Sequence, residues 1–189
     1  MRCFAAVDLS ADARTAAGRT AERLRARVPE ARWVSPESMH LTLEFLGDVE
    51  GQDVARLGVA LAGLRDEPSV ELSLGKPGVF PGLRAVRVLW LGVESAGGAL
   101  EALARRVRGL VSSVGLGGAD DKPFVAHLTL ARFRRPSDLS QVDLGGESRD
   151  TGEGRWLADR VILYQSLLSP AGAEYRPLCE VLLEGRRSA

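Results

Sequence analysis

The chain has 189 residues, of which 45% are apolar, and its 25 Lys and Arg residues are balanced by 25 Asp and Glu residues. This zero net charge excludes a polycation that coats nucleic acid, and the apolar runs are too short to cross a membrane. The N-terminus does not resemble a signal peptide, so we expect a cytoplasmic protein with one domain over residues 1–189.

The first half of the chain predicts strands alternating with helices. Met1–Leu9 is apolar and predicts a strand, and Ser10 behind it can cap a helix over Ala11–Val28. His40–Leu46 predicts a second strand, which ends at Gly47-Asp48. A helix over Val54–Leu64 and two strands over Val70–Leu74 and Ala85–Val93 follow, and the stretch Gly75–Gly82, with its glycines and prolines, separates these two strands.

The second half continues in the same way. Ala99–Val114 predicts a third helix, because its leucines and valines recur at helical spacing, and Val125–Phe133 predicts a strand. Between them, Gly115–Lys122 is rich in glycine and aspartate and predicts a loop. The remaining segments predict a short helix or loop over Pro136–Gly146, a polar excursion over Glu147–Gly154, and a hairpin of two strands, Trp156–Leu168 and Tyr175–Leu183, joined around Ser169–Gly172.

The order of these elements predicts an α+β protein with an internal duplication. Strand, helix and strand follow one another over Met1–Leu46 and again over Ala85–Phe133. Weak self-similarity in any alternating α+β chain is the alternative explanation. Two duplicated halves that face each other would form two pseudo-symmetric lobes around a shared cleft.

One tetrapeptide occurs at the second strand of each half. It reads His40-Leu41-Thr42-Leu43 in the first half and His127-Leu128-Thr129-Leu130 in the second, and the chain contains no other histidine. Side chains alternate between the two faces of a strand, so in each motif the histidine and threonine share one face while both leucines face the core. Two copies around one cleft would supply two imidazoles and two hydroxyls.

Such a pair of histidines suits acid–base cleavage of a phosphodiester without a metal. One neutral imidazole can accept a proton from water while the other, protonated, donates to the leaving oxygen, and the threonines can bind non-bridging oxygens. A zinc site would have to recruit carboxylates, and a Ser-His-Asp site would leave the second copy unexplained. A protein that only binds the phosphate of an RNA end is the non-enzymatic alternative.

At these residues the chain resembles the two-histidine (2H) phosphoesterase superfamily, specifically the RNA 2',3'-cyclic phosphodiesterases, also called 2'-5' RNA ligases. The resemblance covers nearly the whole length. The residues that carry it are Arg2–Leu9, Trp33-Val34, Met39–Asp48, Val86–Val93, Pro123–Arg132, Leu163–Ser166, Gly172 and Tyr175. One departure is Ala126, where the family commonly has proline.

The resemblance implies a bilobal fold in which antiparallel-rich sheets line a central cleft and helices lie outside. It implies His40 as proton donor and His127 as proton acceptor, with Thr42, Thr129 and Arg132 on the phosphate. The expected reaction opens a 2',3'-cyclic phosphate at an RNA terminus to a 2'-phosphomonoester without cofactor or metal. Ligation of tRNA halves and opening of an ADP-ribose cyclic phosphate are other reactions that the motifs allow.

Several further expectations concern residues around the motifs. Strict strand alternation places Arg132 on the face opposite His127, so it reaches the cleft only if the strand twists or bulges there. Phe4, Trp33 and Phe80 are candidates to stack on a base. We expect the protein to act as a monomer.

Overall fold

The structure is a computed structural model in which residues 1–117, 123–145, 154–169 and 172–185 are described. In these ranges the fold is α+β, as predicted, with a curled antiparallel sheet and three α-helices. The strands are β1 Arg2–Asp8, β2 Arg32–Trp33, β3 His40–Asp48, β4 Val70–Phe80, β5 Val86–Ser95, β6 His127–Ser137, β7 Arg155–Ala158, β8 Arg160–Ser169 and β9 Gly172–Leu182, and the helices are α1 Ala11–Arg25, α2 Gly51–Leu61 and α3 Ala99–Ser113.

The helices form where capping and apolar periodicity coincide. The Ser10 hydroxyl accepts a hydrogen bond from the Ala13 amide at 3.2 Å and so begins α1, as predicted. The buried residues of α3 recur every three or four positions and pack with the strands into one apolar core; they are Leu100, Leu103, Ala104, Val107 and Val111. None of the helices in the described ranges is both long and apolar enough to span a bilayer.

The strands run in the spatial order β7-β4-β5-β6-β3-β1-β8-β9, and the short β2 pairs with β6. The two motif strands, β3 and β6, therefore lie next to each other at the middle of the sheet. They pair through the residues Leu41 and Leu128. Each of these leucines is the second residue of its tetrapeptide, so the two motifs meet at equivalent positions.

The strand pairs on either side of this junction have the same register. Asp8 of β1 lies opposite His40, and Gly92 of β5 lies opposite His127. Outside them, β8 pairs with β1 as β4 pairs with β5. This correspondence supports the two pseudo-symmetric lobes expected from the sequence, and the division into lobes stays a prediction.

Strands β4 and β6 extend well beyond their predicted ends. β4 continues through Lys76 and Pro77 to Phe80, where a loop was expected from Gly75 onward. The pairing with β5 skips between Leu74 and Pro77, and this irregularity accommodates a proline that cannot donate to the ladder. β6 likewise continues past Phe133 to Ser137.

The predicted hairpin is confirmed for β8 and β9, which pair antiparallel from Arg160 and Leu182 at one end to Ser169 and Gly172 at the other. The single strand predicted over Trp156–Leu168 is wrong, because it is divided at Asp159 and its first part, β7, pairs with β4. Two predicted loop segments fall largely outside the described residues. These are Gly115–Lys122, of which 118–122 are not described, and Glu147–Gly154, of which 147–153 are not described.

Candidate active site

The motif histidines and threonines lie on the face of the sheet opposite the helices. Leu41 and Leu128 are fully buried in the core, so by alternation their neighbours in both motifs point to the other face, where all four are half-buried. Extending the antiparallel Leu41–Leu128 register places His40 beside Thr129 and Thr42 beside His127. Cross-strand neighbours on one face have Cβ atoms roughly 5 Å apart. Each histidine is thus next to the threonine of the other motif.

Both imidazoles are oriented by the same backbone contact. The Nδ1 atom of His40 lies 3.0 Å from the Ser38 carbonyl oxygen, and that of His127 lies 2.7 Å from the Val125 carbonyl oxygen. A carbonyl oxygen can only accept, so Nδ1 carries the proton in both rings. In the neutral ring Nε2 is then the basic nitrogen, and it is available to a substrate.

The surroundings of both histidines favour the neutral ring. Burial lowers the pKa of each imidazole below its ordinary value, and the carbonyl bond at Nδ1 offsets part of this effect. The positive charge of Arg132 lowers the pKa of both rings further. The net effect in each case is a pKa below the ordinary value of an imidazole.

A β-bulge brings Arg132 to the same face as His127. Thr129 pairs with Trp90 and Ala131 pairs with Leu89, so Leu130 is an extra residue between them. Leu130 and Ala131 are both fully buried, and alternation resumes with Arg132 exposed. Strict alternation had predicted the opposite face. The bulge reverses it and meets the condition under which Arg132 can reach the cleft.

The first motif strand bulges at the equivalent leucine. Thr42 pairs with Ala6 and Glu44 pairs with Ala5, so Leu43 is the extra residue. Glu44 consequently faces the helices, where it is 7% exposed and its Oε2 lies 2.9 Å from Nε of Arg108. Phe45 turns to the cleft face and is 58% exposed. Phe45 is not among the predicted site residues, although it lies five residues after His40, as Arg132 does after His127.

Phe4 packs against the His40 ring and is not free to stack on a base. Its ring stacks on the imidazole with centroids 4.6 Å apart and an angle of 26° between the ring planes, and it is only 3% exposed. The edge of Tyr175 contacts the same imidazole at 4.7 Å. The prediction of base stacking by Phe4 is therefore wrong, because His40, Tyr164 and Tyr175 already cover its ring.

Trp33 lies on the other side of the sheet. It pairs with Ala131, which faces the core, and the Arg25 guanidinium of α1 lies over its ring at 5.6 Å. Its Nε1 donates to the Val28 carbonyl at 3.2 Å. The prediction of base stacking by Trp33 is wrong, because the register of β2 turns the indole toward the helices.

Phe80 is the predicted stacking residue that lies beside a motif histidine and also keeps part of its ring accessible. Its ring approaches His127 edge-on at 5.2 Å and is half-buried. Trp90 packs next to Phe80, with its ring centroid 6.0 Å from that of His127. Its indole lies over Gly78, where a Cβ atom would overlap it. The Trp90 Nε1 is the one buried side-chain polar atom in the described residues without a hydrogen-bond partner.

A second arginine accompanies Arg132 at the edge of the cleft. Arg32 of β2 lies directly opposite Arg132 and is exposed, and neither guanidinium forms an ion pair with a described residue. Like charges placed opposite each other repel unless an anion lies between them. Arg32 is not among the predicted site residues, because its position depends on the register of a two-residue strand.

The first histidine also borders a pocket of about 300 Å³. Asp8, Arg14, Tyr164 and Tyr175 contribute to its walls. The Tyr164 hydroxyl donates to both carboxylate oxygens of Asp8, at 2.9 and 3.0 Å. Within the described ranges, no three His, Cys, Asp or Glu side chains are grouped as metal ligands.

Known proteins resemble the chain over nearly its full length. A model of LigT-like phosphoesterases matches residues 7–90. An RNA 2',3'-cyclic phosphodiesterase of Methanothermobacter thermautotrophicus is 34% identical over 93% of this chain and 95% of its own length. An RNA 2',3'-cyclic phosphodiesterase of Thermotoga maritima is 33% identical over 98% of this chain and 97% of its own length.

Two solved structures match equally well. A Thermus thermophilus protein has a TM-score of 0.79 and 31% identity, with 99% of this chain and 100% of that chain covered. E. coli LigT complexed with 3'-AMP has a TM-score of 0.76 and 30% identity, with 96% of this chain and 97% of that chain covered. With this fold, the paired motifs and relatives of this identity, the chain belongs to the LigT-like 2H phosphoesterase family.

Proposed function

We propose that this protein hydrolyses the 2',3'-cyclic phosphate at RNA ends and leaves a 2'-phosphomonoester. The observation that carries the proposal is the pair of equivalently held imidazoles, each with Nδ1 bonded to a carbonyl and Nε2 available to a substrate. The names of the full-length relatives supply the substrate class. E. coli LigT was solved with a nucleotide, 3'-AMP, which further supports a nucleotide substrate.

In the proposed reaction the two histidines have opposite protonation states. Neutral His127 accepts a proton at Nε2 from the water that attacks phosphorus. Protonated His40 donates its Nε2 proton to the 3' oxygen as the bond between phosphorus and that oxygen breaks. One proton enters at His127 and one leaves from His40, so the site returns to its starting state after a proton exchange with solvent.

The remaining cleft residues bind the phosphate. Thr42 and Thr129 lie on the cleft face beside the opposite histidines, where their hydroxyls can donate to non-bridging oxygens that gain charge during attack. Arg132 adds a positive charge on the same face, and its guanidinium suits a phosphate anion. No step in this scheme uses a metal ion.

The test is hydrolysis of nucleoside 2',3'-cyclic phosphates in excess EDTA, followed by phosphorus NMR. We expect turnover with a 2'-phosphate as product and no loss of rate on chelation. A 3'-phosphate product, or activity restored only by a divalent cation, would contradict the scheme. Binding without turnover would identify an RNA-end binder, and 2'-5' joined product from tRNA halves would identify a ligase.

A further inference from the structure

The two histidines differ in the residue that faces them across the neighbouring strand. Asp8 of β1 is opposite His40, and the equivalent position opposite His127 is Gly92 of β5. Both pairs occupy the same place in the matched registers of the two halves. Among the described residues the site is therefore symmetric in backbone and asymmetric in charge, because the cross-strand position is a carboxylate at His40 and a glycine at His127.

The Asp8 carboxylate is held in place by contacts from two other strands. The Tyr164 hydroxyl of β8 donates to both of its oxygens, and the Trp156 indole of β7 donates to its backbone carbonyl at 3.1 Å. Burial and the adjacent carboxylate raise the pKa of the Tyr164 phenol, so its hydroxyl stays a donor over the working pH range. The Asp8 carboxylate is therefore held in place on the strand next to His40.

We propose that Asp8 is a positioning residue that makes His40, and not His127, the protonated member of the pair. The inference rests on the proposed function, in which one histidine must enter the reaction as an imidazolium. A negative charge on the adjacent strand stabilises an imidazolium relative to the neutral ring. His127 has only a glycine at the corresponding place and stays neutral, as a general base must.

Other charged groups near the two rings do not produce this difference. Arg132 acts on both imidazoles and disfavours a proton on either. Arg14 of α1 also opposes a charge on His40, while its Nη1 donates to the carbonyls of Pro36 and Met39. Asp8 is the side chain whose charge raises the pKa of His40.

Each ring also has other titratable groups around it. Glu37, Glu174 and the phenols of Tyr164 and Tyr175 line the pocket at His40. On the other side Lys76 of β4 is exposed, and among described residues Arg132 is the charge that acts on His127.

The second half has little room for an acid at the equivalent position. A Cβ atom on Gly92 would lie 3.2 Å from the Lys76 carbonyl oxygen and 3.7 Å from the Trp90 ring. The oxygen is a backbone atom of the paired strand and cannot turn aside as a side chain can. Packing around Gly92 therefore disfavours a side chain at the position that corresponds to Asp8.

The experiment is a proton NMR titration of the Asp8→Asn variant. The protein has two histidines, so two imidazole Cε1–H signals are expected, and each is assigned by its loss in His40→Gln or His127→Gln. We expect the His40 midpoint to fall by about 0.5–1 pH unit, with little change at His127. Asp48→Asn, an exposed site at the far end of β3, is the matched control and should move neither signal.

The Tyr164→Phe variant gives a second measure, because it keeps the ring that stacks on Phe4 and removes the hydroxyl that holds Asp8. Its His40 midpoint should fall less than in Asp8→Asn. Equal shifts at both histidines, or none at His40, would overturn the inference. The titration needs no turnover, so it gives a result even if the wild-type protein fails to hydrolyse cyclic phosphates.

In an active enzyme, the alkaline limb of the pH profile of kcat/KM should move to lower pH in Asp8→Asn, by the same amount as the His40 midpoint. The acid limb of the profile should stay in place. A structural role alone would lower activity at all pH values equally. That outcome would also contradict the inference.

Discussion

The His40 half and the His127 half have the same backbone arrangement and different side chains around it. Both place a carbonyl against Nδ1 from two residues earlier, and both bulge at the last leucine of the motif. Beyond the motif the two halves diverge: Phe45 occupies the position of Arg132, and Asp8 that of Gly92. The backbone thus fixes where the two imidazoles lie, whereas their neighbours determine what each one does.

Removing either imidazole gives the largest expected effect, and the leaving group distinguishes the two. His40→Ala and His127→Ala should each lower kcat on a 2',3'-cyclic nucleotide by about 10²–10⁴-fold, with a modest change in binding. On a 4-nitrophenyl phosphodiester, whose leaving group needs no proton, the His40 variant should regain much of its deficit. The His127 variant should not, because the attacking water still needs a base.

The measurement is kcat for both variants on both substrates. His40→Gln and His127→Gln serve as matched variants that keep more of the side-chain volume. Equal recovery of both variants on the activated substrate would show that the roles of donor and acceptor have been assigned wrongly. Near-normal rates for either variant on the cyclic nucleotide would remove that histidine from the mechanism.

The two threonines test whether the site is shared between the halves. Thr42→Val and Thr129→Val keep the shape and remove the hydroxyl, and each should lower kcat by about 10²-fold if its donor stabilises the charged oxygens. Serine at either position keeps the hydroxyl and should retain most of the rate.

Because each threonine lies beside the histidine of the other motif, Thr42→Val and His127→Gln should be strongly non-additive, as should Thr129→Val and His40→Gln. Kinetic double-mutant cycles measure this coupling. If instead the threonine and histidine within one motif couple more strongly than these crossed pairs, the cross-strand arrangement does not govern the chemistry.

Much of this arrangement could be anticipated from the sequence, and register explains most of what could not. A period of two and a repeated tetrapeptide are local signals, so the motif strands and the shared face of His40 and Thr42 follow from them. The bulges at Leu43 and Leu130 leave no local signal, because each motif reads as regular alternation. Their effect is large, since they turn Phe45 and Arg132 to the cleft face.

Contacts between distant strands were equally out of reach of local patterns. Asp8 faces His40, and Arg32 faces Arg132, only because of pairings between separate strands. The errors over Phe4 and Trp33 have the same origin. Aromatic rings from β3, β8 and β9 cover Phe4, and the pairing of β2 with β6 turns Trp33 toward the helices. A long β4 was missed because glycines and Pro77 resemble a loop until a paired strand accommodates them.

Phe45 and Arg132 lie at equivalent places and should recognise different parts of a substrate. Arg132→Gln should raise KM by about tenfold for every cyclic phosphate, because it removes a charge-assisted contact to the phosphate. Phe45→Ala should raise KM by about fivefold for a cyclic nucleotide, because an exposed ring at the cleft edge can stack on a base.

A cyclic ribose phosphate that lacks a base separates these two effects. The Phe45→Ala variant should bind it as the wild type does, whereas Arg132→Gln should remain impaired. Phe45→Tyr is the control, because it keeps an aromatic face. Comparable losses of Phe45→Ala on both substrates would mean that the ring supports the fold of the cleft and does not contact the base.

The smallest expected effect is on stability, and it tests what the two histidines have in common. Burial lowers the pKa of both below 6.5, so under mildly acidic conditions the unfolded chain binds protons that the folded protein does not. The free energy of unfolding should therefore fall as pH drops below about 6.5, until the folded rings are protonated. Asp138 and Asp159, whose pKa values are lowered from 3.8, lose their contributions to stability only in more acidic solution. The pH range in which the histidines act is therefore separate from that of the aspartates.

Urea midpoints between pH 7.5 and pH 5 should decline for the wild type, less for His40→Gln or His127→Gln, and least for the double variant. An unchanged decline in the double variant would assign the pH dependence to other groups.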